Sequence, residues 1–403
     1  METFLFTSFP NISMEDALFQ NNPWWEKEYK SGSIPRTKYL ENAEYLLEKR
    51  DVIFITGLRR IGKSVFMKQI IEGLLKRKVP PEKILYVPCD GYSFKHNSLH
   101  DIIREYRKLK GLKYDEKFFV FFDEVASKTG FELELKDFYD NENMKIFACS
   151  SSASIMKEKG GYLTGRMRKI EMLPLDFPEY LEFRSLKPLK SEAYLMEKHF
   201  EDYLRDGGIP EYVLSHDPEY LNSLIETIIV KDMMAKHGLH DYKTLNELFL
   251  LLCERTGKKI TYNRIAGILG ISFETAKKYI SFFEENFLFY TVEKMGKLNE
   301  RLKAPKKIYI GDIGLRNAAM DFRDKGALYE NLVFLSIKEK KPSYYEEKGI
   351  EIDFIYDKTA LECKYGREGG MDLTNSSQER IKMKLKDKGF RIEEASGYRF
   401  FNV

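Results

Sequence analysis

Gly57, Gly62, Lys63 and Ser64 close the stretch DVIFITGLRRIGKS, an apolar, β-rich run that breaks into one glycine, four spacers (Leu58, Arg59, Arg60 and Ile61), and then Gly-Lys-Ser. A loop that wraps a polyphosphate needs glycine where the backbone turns sharply and approaches its ligand. The spacing is that of a phosphate-binding loop, and the expected contacts run from Gly57 through Val65. Lys63 would place a charge beside the β and γ oxygens, and the Ser64 hydroxyl would ligand Mg²⁺. The chain is therefore expected to bind a nucleoside triphosphate with Mg²⁺.

Such a loop needs acids for the metal and for the attacking water. FFVFF (Phe118 to Phe122) runs into Asp123 and Glu124. Asp123 would hold the metal directly or through water, and Glu124 would orient and deprotonate the water. Ser150, Ser151 and Ser152 end another apolar run, KIFACSSS. A serine there either senses the γ-phosphate or serves as turn chemistry.

A second set of acids lies near the other end of the sequence. IEIDFIY (350–356) and TALECK (359–364) are separated only by Asp357 and Lys358, the length of a two-residue hairpin turn. Such a turn sets Asp353 opposite Glu362 and Glu351 opposite Lys364, all on one face. Facing carboxylates about 5 Å apart repel, a cost that a bound cation removes. The alternative is a Glu351–Lys364 cross-strand ion pair beside two solvated acids, and one extra turn residue would move Asp353 off Glu362.

These residues need elements to hold them. The phosphate loop calls for a strand before it and a helix from Lys63 to Lys76, whose N-terminal amides and dipole face the phosphates. With KILYVPCD (83–90), FFVFF and KIFACSSS as further strands, the alternation predicts an open parallel sheet with helices on both faces. A strand as apolar as FFVFF should be central. Beyond Lys187 the apolar spacing turns helical, with segments near 191–204 and 220–237 broken at Gly207 to Pro210. Ile260 to Val292 reads as helix, turn at Gly270 to Ser272, second helix and strand. That second helix offers Lys277 and Lys278, and Lys294, Lys297, Arg301, Lys303, Lys306 and Lys307 follow it. This is a modest basic footprint for DNA phosphates, the favoured reading, although Phe273, Tyr279, Phe282 and Phe283 also suit a protein-docking helix.

GLRRIGKS, FFDEV, CSSSASI, LTGRMRKIEMLPLDFPEYLEF and LRDGGIPEYV together resemble the AAA-type P-loop ATPases of archaea and bacteria that carry a C-terminal winged helix and a nuclease-like domain. The resemblance implies an α/β P-loop NTPase with a helical lid, a winged-helix domain and a C-terminal restriction-endonuclease-like α/β domain. It divides the chain into an N-terminal arm (1–33), ATPase core (34–187), lid (188–245), winged helix (246–310) and nuclease-like domain (311–403). Leu163, Gly165 and Arg166 match the family's L-x-GR element, which implies that Arg166, or Arg168, touches the γ-phosphate within one subunit or from a neighbour in a homo-oligomer. Ser151 or Ser150 inherits a sensing role, although Cys149 stands where such proteins more often have glycine. Glu330, Asp353 and Glu362 with Lys364 are similar to the PD-(D/E)xK nuclease site, implying acids on Mg²⁺ and a lysine that activates water.

Composition agrees with several domains. The 403 residues are 43% hydrophobic and carry a net charge of +3, so nucleic-acid contact must come from local patches. Four cysteines without paired spacing argue against a disulfide framework and a zinc site. Secretion and membrane insertion are disfavoured, which places the expected protein in the cytoplasm. The remaining choice is between an ATPase acting on DNA and a regulatory nucleotide switch whose C-terminal domain only recognises partners. Trp24 and Trp25 are expected to pack a terminal arm rather than to act.

Overall fold

The computed structural model describes residues 13–153, 160–187, 189–192, 194–366 and 376–401. The first twelve residues of the expected arm, the end of CSSSASI, and residues 367–375 and 402–403 of the expected nuclease-like domain lie outside them. Two compact units are present: Met1–Gly57 with Gly62–Met172, and Leu58–Ile61 with Leu173–Val403. The expected lid, winged-helix and nuclease-like segments thus fall in one unit, and the first unit ends before the expected border at 187.

The first unit is built on five strands: β1 (Val52–Thr56), β2 (Ile84–Pro88), β3 (Phe118–Asp123), β4 (Met144–Ser150) and β5 (Met167–Glu171). They form one parallel sheet in the order β2-β3-β4-β1-β5. β3 lies between β2 and β4, and its alternating side chains bury on both faces. Val120 and Phe122 enter the core with Leu135 and Phe138, while Phe121 stacks on Phe147 at 4.8 Å. This is why the run is apolar at every position.

β2 is an edge strand, and its backbone needs partners. The terminal arm supplies them. The Asn22 amide donates to the Tyr86 carbonyl at 2.9 Å and accepts from the Tyr86 N–H at 2.6 Å. The Trp24 and Trp25 indoles both donate to the Ile84 carbonyl, at 3.0 and 2.9 Å. The tryptophan pair therefore closes a sheet edge.

The second unit holds two further sheets. β6 (Lys259–Ile260), β7 (Phe289–Val292) and β8 (Lys306–Ile310) pair antiparallel in the order β6-β8-β7. Helices Tyr262–Leu269 and Phe273–Glu285 precede β7; Gly270 (φ +65°) ends the first, and Ser272 caps the second by accepting the Thr275 N–H at 3.0 Å. A four-stranded sheet runs β12-β11-β10-β9, from β9 (Ser343–Glu347), β10 (Ile350–Tyr356), β11 (Thr359–Lys364) and β12 (Arg391–Ser396). β10 and β11 form the expected hairpin. Asp357 and Lys358 both have positive φ, 42° and 60°, as a two-residue turn requires, and the register pairs Phe354 with Leu361.

Two glycines lock this unit from within. A Cβ on Gly207 would meet the Gly314 nitrogen at 2.4 Å, and one on Gly208 would meet the Leu175 carbonyl oxygen at 2.3 Å. The break at GGIP is therefore a close backbone crossing. Buried Asp312 fastens it by accepting the Gly208 and Leu315 N–H groups at 2.7 and 3.2 Å. Among the described residues, no helix is long and apolar enough to cross a membrane.

Candidate functional site

β1 ends at Thr56, and the chain turns through Gly57 (φ 142°), Arg60 (φ 67°) and Gly62 (φ 92°) into the helix Lys63–Lys76. Gly62 caps that helix in a left-handed conformation that a side chain would strain. Lys63 is buried and donates from Nζ to the Gly57 carbonyl at 3.0 Å, bridging the two ends of the loop. Of the spacers, Leu58 and Ile61 are buried and Arg60 is exposed. Arg59 lies 3.5 Å from Asp232 within the second unit. Ser64 is half-buried and Val65 exposed.

The register aligns the acids with the loop. Thr56 pairs with Ser150, and Phe122 with Ala148, so Asp123, Glu124 and the serines leave the sheet at the same carboxyl edge. Asp123 is held on both oxygens: the Tyr86 hydroxyl donates to Oδ2 at 2.5 Å and the Cys149 thiol to Oδ1 at 2.6 Å. Glu124 takes a left-handed backbone (φ 47°), rare for a residue with a side chain. Its Oε2 accepts from the Ser151 N–H at 3.2 Å and the Ser151 hydroxyl at 3.3 Å. Burial raises the Glu124 carboxyl above its ordinary range, against the pull of Lys63.

These groups suit a nucleotide with Mg²⁺. A helix N-terminus, a lysine, a serine hydroxyl and a carboxylate form the donor set, and the Thr56 hydroxyl just before the loop is buried with no hydrogen-bond partner.

Arg166 is placed elsewhere. Its carbonyl accepts from Val52 at the start of β1, and its side chain pairs with Asp140 at 2.9 Å. Arg168 pairs with Asp51. Both arginines therefore sit at the amino edge of the sheet, about 13 Å of strand from the phosphate loop. That corrects the expectation of contact within one subunit: the strand that carries them runs parallel to β1 and only begins there.

Two of the three expected C-terminal acids, Glu330 and Asp353, come together, but around a different lysine, while Glu362 accepts from the Gln378 amide at 3.2 Å. Glu330, on the helix Lys325–Ile337, accepts from Lys307 Nζ and from the Tyr309 hydroxyl, both at 2.7 Å. Lys307 also lies 2.7 Å from Glu351 and 3.5 Å from Asp353. Asp353 accepts the Cys363 N–H on its other oxygen at 2.9 Å. Glu351 bonds to Lys307 and Lys259 instead of facing Lys364 as the ion pair considered from sequence. Lys364 pairs with Glu394 at 3.1 Å and is close enough to act on the charge of Glu362.

Burial, with Asp353 nearby, pushes Glu362 up to about 7. Burial likewise carries Glu330 to about 7. For Lys307 burial alone would lower the ammonium, but Glu330, Asp353 and Glu351 together hold it above its ordinary value. The residues do not fit the expected metal site, because an ammonium already occupies the point where Glu330 and Asp353 meet Glu351, and Glu362 is not among its partners. Among the described residues no cluster of three or more acids, histidines or cysteines is arranged to hold a metal.

Lys277, Lys278 and Lys303 are all exposed. The rest of the expected basic footprint is smaller than its residue count. Arg301 and Lys306 pair with Glu293, and Lys307 is turned inward. Sequence reasoning missed Tyr86 and Lys307, and noticed Cys149 only as a departure.

Residues 49–181 match the family model described as AAA domain, and residues 197–326 match a domain of unknown function, DUF8612. The first match, over the parallel sheet and its phosphate loop, supports an AAA-type P-loop ATPase domain in that segment. Curated relatives described as uncharacterized proteins include one from Haemophilus influenzae, 28% identical over 341 residues, 80% of this chain and 83% of the relative. Another, from Methanocaldococcus jannaschii, is 26% identical over 390 residues, 86% of this chain and 80% of the relative. Among solved structures, a chain of Drosophila ORC bound to DNA matches at TM-score 0.32 and 12% identity, covering 80% of this chain and 95% of that one. AMPPCP-bound DnaA from Aquifex aeolicus matches at TM-score 0.29 and 17% identity, covering 70% and 93%. At these scores neither likeness bears on function.

Proposed function

We propose that this chain binds ATP with Mg²⁺ at the loop from Gly57 to Ser64, hydrolyses it, and uses its nucleotide state to govern contact with DNA. The observation that carries the reading is the alignment of Asp123 and Glu124 with the phosphate loop at one edge of the sheet. The helix amides and Lys63, released from the Gly57 carbonyl, bind the β and γ oxygens. Ser64 and Asp123 hold the metal, which when bound neutralises charge on those oxygens. Glu124 takes the proton of the attacking water, a task that suits a carboxyl raised toward neutrality. Ser151 orients Glu124 through two hydrogen bonds and is placed to register the change when phosphate leaves. Arg166 serves hydrolysis only in a homo-oligomer, by reaching the nucleotide of a neighbouring copy.

DNA contact is assigned to a winged helix formed by Tyr262–Leu269, Phe273–Glu285 and the strands that follow, with Lys277, Lys278 and Lys303 on phosphates. The C-terminal sheet and its helices serve as a nuclease-like recognition domain. The Lys307 ion pairs favour this non-cleaving, regulatory reading of that domain over metal-dependent cleavage.

Glu124→Gln should lower ATP turnover by roughly 10²- to 10⁴-fold while nucleotide still binds. Lys63→Ala should weaken binding itself by about tenfold or more. Unchanged turnover in both variants refutes hydrolysis at this loop. Replacing Lys277 and Lys278 by glutamate should weaken duplex binding and reduce its salt slope by about 2; an unaltered affinity assigns the helix to protein docking.

A further inference from the structure

Lys307 lies on β8, in a segment that reads as a solvated basic run, yet its side chain is 2% exposed. Alternation along β8 explains this, because Lys307 and Tyr309 share one face and both reach Glu330. The rings of Tyr309 and Phe354 flank the ammonium at 6.0 and 5.9 Å. Three elements meet at its nitrogen: β8, the helix Lys325–Ile337 through Glu330, and β10 through Glu351 and Asp353. A divalent metal needs several oxygens within about 2.0 to 2.6 Å and room for water or substrate beside them. Here Glu330 Oε1, Glu351 Oε1 and Asp353 Oδ1 all point at one nitrogen, and Asp353 Oδ2 is taken by the Cys363 N–H.

We propose that Lys307 is the resident cation of the C-terminal centre: its ammonium stands where a metal would bind, so that the centre takes up no Mg²⁺ or Mn²⁺, cuts no phosphodiester, and joins three elements into one body. The acid constellation then acts as a joint between β8, β10 and the helix Lys325–Ile337. Exchange of the ammonium for a metal would require a buried lysine to leave three carboxylates and reach water. Each carboxylate left without its partner during that exchange is a half-buried, uncompensated charge. The inference is independent of ATP hydrolysis at the first unit.

Two measurements test it on the full chain without nucleotide. Mn²⁺ binding, followed by the electron paramagnetic resonance signal of the free ion, should give the same count for the unaltered protein and for Asp353→Asn. Any Mn²⁺ that the unaltered protein holds and Asp353→Asn loses overturns the proposal. Lys307→Met should melt roughly 10 °C lower and recover part of that loss on adding Mn²⁺, whereas the unaltered protein's melting should not respond. A Lys307→Met protein that melts unchanged and ignores Mn²⁺ overturns it equally. If that variant does not fold, the Asp353→Asn comparison decides alone.

Discussion

The phosphate loop and the C-terminal acid centre each place a buried lysine near buried or half-buried carboxylates, and they differ in what the lysine touches. Lys63 turns to a backbone carbonyl, while Asp123 and Glu124 are held by neutral donors, the Tyr86 hydroxyl, the Cys149 thiol and Ser151. Those acids are oriented but not neutralised. At the other centre Lys307 is bonded directly to the acids. The first arrangement keeps its charges available for a metal and a polyphosphate; the second has spent them internally. On the proposed reading, similar residue types give a ligand site in one unit and a structural joint in the other.

The sharpest way to break this contrast is to remove each lysine and compare stabilities. Lys307→Met should cost about 3 to 5 kcal/mol by urea denaturation, because three acids lose their common partner. Lys63→Met should cost less, on the order of 1 to 2 kcal/mol, since it removes a hydrogen bond to a backbone carbonyl and not the common partner of three acids. Equal costs would erase the distinction.

The next effect is in pH. Glu330 and Glu362 are pushed up to about 7 in the folded chain, from an ordinary value of 4.5. Asp312 is raised to about 6 by burial and adds to the same trend. The folded state therefore holds these protons more tightly than the unfolded chain does. The stability they confer is full below about 4.5 and is lost as pH rises through 7, by an amount on the order of a few kcal/mol. Stability of the second unit that rises across this window would contradict the internal arrangement.

A smaller effect belongs to Tyr86→Phe. Losing the donor on Asp123 Oδ2 should raise the Mg²⁺ needed for half-maximal turnover several-fold, about 1 kcal/mol, with ATP affinity at saturating Mg²⁺ unchanged. A fall in ATP affinity alone would make Tyr86 a packing residue.

Legibility in the sequence followed the range of the interactions. The phosphate loop and the Asp357–Lys358 turn were readable because spacing along the chain dictates them. The strand that delivers Asp123 was readable because burial on both faces leaves an unbroken apolar run. Tyr86, Cys149 and Lys307 were not, since each reaches its carboxylate from another strand and nothing local marks the encounter. Lys307 was further disguised by Lys306 beside it, which faces Glu293. The L-x-GR motif was visible, but only strand direction reveals that Arg166 stands at the amino edge.

The most direct test counts Mn²⁺ bound to the unaltered chain with and without a non-hydrolysable ATP analogue. One tightly bound Mn²⁺ that appears only with nucleotide, and that Asp123→Asn weakens, is the predicted result. A Mn²⁺ bound tightly without nucleotide and lost in Asp353→Asn would contradict it.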